Sequence, residues 1–102
     1  MKYDKLVRDK IPEIIASTGK KATYRILDEA EYKEYLEKKL DEEVAEFHES
    51  KSIEEIVDII DILDCLLTAY GYTFEEFCFA CENKSKERGD FEKRICLIEV
   101  EE

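Results

Sequence analysis

Residues 40–64 read LDEEVAEFHESKSIEEIVDIIDILD, and they hold two acidic patterns, Glu42-Glu43-x-x-Glu46 and Glu55-x-x-Asp58, on either side of a short polar break. Both flanks have helix-like spacing. Helical residues three or four apart share a face, about 5–6 Å from one another, so Glu43 with Glu46 and Glu55 with Asp58 can each aim two carboxylates at one point. An antiparallel hairpin would set the two pairs opposite each other. Four hard oxygen ligands from two facing helices suit magnesium or manganese, which makes Glu43, Glu46, Glu55 and Asp58 the expected metal ligands.

The second half of the stretch sharpens this expectation. Residues 53–67 are apolar almost all round, a pattern that predicts a buried helix, yet Asp58, Asp61 and Asp64 recur at intervals of three. A buried carboxylate without a partner is costly, so these acids are expected to be protonated, paired with cations or bound to metal. No Lys or Arg lies between Ser52 and Asn83, which removes local pairing. Asp64, near the far end, fits a solvated stripe.

Working outward, residues 29–49 read as a helix with core positions Leu36, Leu40, Val44 and Phe47, followed by helices at 53–70 and about 74–87. Gly71 stops the second long helix, and Thr73 caps the next, with Glu76 three residues on completing a capping box. Upstream, KLVRDKIPEII places Pro12 in the first turn of a short helix. Segments 22–27 (ATYRIL) and 94–100 (RICLIEV) alternate apolar and polar residues and are expected to pair as a small two-stranded sheet. The fold class expected is mainly α: a helical bundle with that small sheet, in a single domain spanning 1–102.

Composition narrows the function classes. With 27 acids against 16 bases the net charge is −11, and the sequence pI is near 4.6. Such a surface argues against nucleic-acid and anionic-membrane binding, both of which need basic surface. No signal peptide is evident and no apolar run approaches the roughly 20 residues that cross a bilayer, so a cytoplasmic protein with reduced thiols at Cys65, Cys78, Cys81 and Cys96 is expected. Cys78-x-x-Cys81 lacks two further zinc ligands, and its neighbours Phe74 and Phe77 follow helical spacing, so both thiols read as small core residues.

Two basic clusters interrupt the acidic chain. Lys5, Arg8 and Lys10 form the first, with Arg8 suited to forked contacts with phosphate. The second lies in ENKSKERGDFEKR, where Lys84 and Arg88 stand four apart on one helix face and could hold phosphate oxygens beside a metal. Either cluster also fits a solvated face, or cations at a helix C-terminus.

Taken together, EExxE, ExxD about a dozen residues later, and a following Lys/Arg segment resemble the all-α nucleoside triphosphate pyrophosphohydrolases, the MazG-like superfamily. The opening KLVRDKIPEII and the closing ERGDFEKRI are similar to one branch of it, small house-cleaning proteins akin to phosphoribosyl-ATP pyrophosphohydrolase. The resemblance implies magnesium at Glu43, Glu46, Glu55 and Asp58, with Glu42 as the remaining acid of the motif, and phosphate contacts from Lys84, Lys86 and Arg88. It further implies cleavage between the α and β phosphates, giving a nucleoside monophosphate and pyrophosphate, in nucleotide-pool cleaning. Glu42 or Glu46 would orient or deprotonate the attacking water. Asp61 lies outside the motif.

Other readings compete with this one. Hydrolysis of phosphoribosyl-ATP in histidine synthesis uses the same chemistry, and a non-enzymatic helical regulator would carry its acids merely as surface. A di-iron carboxylate bundle expects Glu-x-x-His, but the residue three before His48 is Ala45. The second apolar face of 53–70 exceeds what three helices can cover, so a homodimer centred on that helix is expected.

Overall fold

The computed structural model describes residues 2–102, which form four helices: α1 (Ile11–Ser17), α2 (Glu29–Ser50), α3 (Ile53–Ala69) and α4 (Phe74–Arg88). The chain divides into two compact units, the first ending at Gly71 and the second starting at Tyr72.

In the first unit α2 and α3 form a helical hairpin. Asp28 starts α2 with a full capping box: its side chain accepts from the Glu31 N–H at 2.9 Å, and the Glu31 carboxylate accepts from the Asp28 N–H. Lys51 ends it in the left-handed conformation (φ 54°), its N–H closing on Phe47 O, and Ser52 begins α3. A two-residue connection of this kind turns the chain straight back. Tyr70, at the far end of α3, donates to Glu37 of α2 at 2.9 Å, which ties the open end of the hairpin.

The packing seam follows helical spacing on both partners. On α2 it runs through Tyr32, Leu36, Leu40, Glu43 and Phe47; on α3 through Glu55, Asp58, Ile59, Ile62, Leu66 and Ala69. Leu36 is the only fully buried apolar side chain among the described residues. The expected core position Val44 is exposed instead, because the 36–40–43–47 spacing puts Glu43 into the seam and turns Val44 outward. The second apolar face of α3 is left uncovered within the chain: Ile53, Ile56, Val57, Ile60 and Leu63 all lie exposed. One partner helix covers only one side of a cylinder.

The second unit holds α4, whose predicted cap is present. Thr73 accepts from the Glu76 N–H at 3.1 Å while Glu76 accepts from the Thr73 N–H at 3.0 Å. Gly71 has φ 84°, in keeping with a stop after α3.

The expected two-stranded sheet is absent among the described residues: neither 22–27 nor 94–100 forms a strand. Side chains of both parities are exposed in the second segment, Ile95 and Leu97 as well as Ile98 and Val100, so neither of its faces is covered. Alternation supplies the period of a strand but not the partner or the apolar cover that a two-stranded ribbon needs to persist.

Candidate metal centre

The site is built on the inner face of the α2–α3 hairpin. One carboxylate oxygen from each of Glu42, Glu43 and Glu46 lies within 4.8 Å of the others, as i, i+1 and i+4 spacing on one helix allows. Glu43 is the pivotal member. Its residue is 4% exposed, its Oε1 lies 3.2 Å from the Lys39 ammonium, and its Oε2 is buried with no hydrogen-bond partner. Burial pushes the Glu43 carboxyl above its ordinary range, and the charges of Glu46 and Asp58 push the same way, against the opposing pull of Lys39. Asp58 lies part-buried on the α3 side of the same seam, but among the described residues the carboxylates that cluster are those of Glu42, Glu43 and Glu46, without Asp58 or Glu55.

Lys39 is the local counter-ion, 3.2 Å from Glu43 and 3.4 Å from Glu42. Partial burial depresses its ammonium, but bonds to Glu43 and the nearby charges outweigh this and leave it raised overall.

Glu55 and Asp58 are engaged differently from Glu43. The Glu55 Oε2 accepts from both Ser52 and Ser50, the latter at 3.0 Å, and these two donors hold its carboxyl below the ordinary range. Ser52-x-x-Glu55 has the spacing of a capping box at the start of α3, but the box does not form: the Ser52 N–H goes to Ser50 Oγ, and both hydroxyls turn to the Glu55 carboxylate instead. Asp58 pairs with Arg8, whose Nη2 is 2.5 Å from Asp58 Oδ1 and 2.8 Å from Asp61 Oδ2. The fork expected to meet phosphate thus grips two aspartates, and they raise the guanidinium further above its already high range. Asp61, which has no place in the acidic motif, gains a role as the second arm of that grip. No spacing rule links position 8 to positions 58 and 61.

The other basic residues distribute as follows. Lys5 lies 3.2 Å from Glu42. Lys10 is exposed at the start of α1. Lys84, Lys86 and Arg88 are exposed on the last two turns of α4 in the second unit, and no ion pair holds them among the described residues.

Chemically, an all-oxygen donor set suits a hard divalent cation, and the orphaned Glu43 oxygen supplies the test of fit. A buried carboxylate oxygen normally has a partner, and an ion or a water is one way to complete an unsatisfied one. Glu42, Glu43 and Glu46 therefore offer oxygens of the kind a magnesium-class ion takes.

An uncharacterized protein of Mycolicibacterium smegmatis (strain ATCC 700084 / mc(2)155) is 54% identical over 41 residues, 40% of this chain and 42% of that protein. The chain thus spans less than half the length of this relative. No family model matches the chain, and no solved structure matches it. Among the described residues no helix is long and apolar enough to cross a membrane.

Proposed function

We propose that this protein is a magnesium-dependent nucleoside triphosphate pyrophosphohydrolase acting in nucleotide-pool cleaning. The observation that carries this reading is the buried Glu43 carboxylate with one oxygen unpartnered, beside Glu42 and Glu46 and in the field of Asp58. Glu43 and Glu46 would hold the ion, with Asp58 and Glu55 of α3 as the further ligands the acidic motif supplies. The ion would supply charge neutralisation to the phosphate oxygens and polarise the bond to be cut. Glu42, half-buried and paired with Lys5 and Lys39, or the exposed Glu46 would orient or deprotonate the attacking water. Exposed Lys84, Lys86 and Arg88 are suited to phosphate oxygens, with manganese an alternative to magnesium.

The test is a panel of nucleoside triphosphates with magnesium, assayed for pyrophosphate release alongside phosphoribosyl-ATP. Release from one or more triphosphates is expected. Release from phosphoribosyl-ATP alone moves the assignment to histidine synthesis, and no release from any substrate favours the non-enzymatic helical regulator.

A further inference from the structure

The segment before α1 lies along the α2–α3 hairpin and is attached to it by side chains rather than by backbone pairing. Asp4 accepts from the Tyr35 hydroxyl at 2.8 Å, Lys5 meets Glu42 at 3.2 Å, and Arg8 forks onto Asp58 and Asp61 with a further bond from its Nε to Asp58 Oδ1 at 3.2 Å. Both cations therefore sit on acids of the candidate centre or beside it. Both Arg8 contacts to Asp58 use the same oxygen, Oδ1. A divalent cation on that carboxylate would stand within a few ångströms of the guanidinium, and the two positive charges would repel each other. Arg8 can leave without disturbing the core: its side chain is more than half exposed, and its backbone stays anchored through the Ile11 N–H, which donates to Arg8 O at 3.0 Å.

Resting on the metal reading above, we infer that Arg8 is a built-in exchangeable counter-ion: it occupies Asp58 while the centre is empty and is displaced when a divalent cation binds. Residues 2–10 are then a strap that sets how much cation the centre requires. The orphaned Glu43 oxygen gives the incoming ion an attraction that Arg8 cannot satisfy, since the guanidinium reaches Asp58 and Asp61 but makes no bond to Glu43. This asymmetry is what lets exchange run toward the ion.

The experiment is magnesium titration by calorimetry on the wild type, Arg8→Gln and Arg8→Lys, with NMR observation of the Arg8 Nε–H signal in the wild type. Arg8→Gln is expected to bind magnesium about fivefold tighter, the upper range for an exposed pair, and Arg8→Lys to fall between it and the wild type. In the wild type the Nε–H signal is expected to shift and lose protection from solvent as magnesium is added. Equal or weaker binding by Arg8→Gln overturns the inference, as does an Arg8 signal that saturating magnesium leaves unchanged. Magnesium binding by none of the three proteins overturns the metal reading as well, which separates the two failures.

Discussion

Glu43 occupies a position that its spacing from Leu36, Leu40 and Phe47 assigns to an apolar side chain, so the fold accepts a buried carboxylate where a methionine would pack better. Removing a buried unsatisfied oxygen relieves a penalty of about 1–3 kcal/mol, while Lys39 keeps Glu42 as a partner. Glu43→Met is therefore expected to stabilise the metal-free protein by about 1 kcal/mol, raising Tm by roughly 4–8 °C, and to abolish magnesium binding. The sign with pH follows from the upward shift. A carboxyl raised above its unfolded value near 4.5 destabilises the fold only where it is ionised, so the advantage of Glu43→Met should shrink as pH falls toward 4.5. Thermal melts of both proteins across pH 4 to 8, as a ~4-unit span around the shift, check this; a constant difference would count against it. Glu55 behaves oppositely. Its carboxyl is lowered by Ser52 and Ser50, so its contribution is present above 4.5 and lost as pH falls through the lowered value. Ser52→Ala should move its titration by NMR back up toward 4.5.

At the scale of elements, the helix boundaries rest on local chemistry that can be tested singly. Asp28 and Glu31 satisfy each other's backbone at the start of α2, the helix that carries Glu42, Glu43 and Glu46. Asp28→Ala removes a cap worth about 1 kcal/mol and should lower Tm by roughly 4–8 °C. Magnesium affinity should change little, since the cap lies four turns from the acids. A large loss of affinity would mean that the centre depends on the whole length of the helix. For α3 the outcome is two unlike faces: one set against α2 and holding Glu55 and Asp58, the other bearing Ile53, Ile56, Val57, Ile60 and Leu63 in solvent.

For the molecule as a whole, that outer face and the small interior have one consequence. With Leu36 alone fully buried among the described residues, a hairpin this thin buries little of its apolar surface, and exposed patches of this kind mark association sites. A homodimer that covers the outer face of α3 is expected by light scattering at micromolar concentration. Ile56→Glu with Ile60→Glu should convert it to monomer, and a monomeric wild type would remove the proposal. The two charge systems should also fail differently under substitution. Asp58→Asn is expected to lower turnover by orders of magnitude through loss of the ion. If Lys84 and Arg88 bind phosphate as proposed, Lys84→Ala or Arg88→Ala should cost roughly 1.5–3 kcal/mol, about 10–100 fold, and raise KM as well as slow turnover. Steady-state kinetics on the best triphosphate decide this, and wild-type behaviour in both basic variants would exclude them from phosphate binding.

What the sequence determined by itself was local. Helix limits, the Thr73–Glu76 box, the stop at Gly71 and the placing of Glu43 and Asp58 on facing helices all follow from interactions spanning a few residues and one tight turn. The tertiary structure decided everything that needs a distant partner. It put Glu43 rather than Val44 in the seam, since both positions extend the apolar spacing from Leu36 and Leu40 and only the packing of α3 against α2 chooses between them. It left 22–27 and 94–100 unpaired, because alternation specifies a strand's period and not its neighbour. It brought Arg8 to Asp58 and Asp61 across 50 and 53 residues of chain, a pairing that only the closed hairpin and the strap before α1 could create. Charge attraction acts through space, and sequence spacing records only the part of space that a single helix or turn spans.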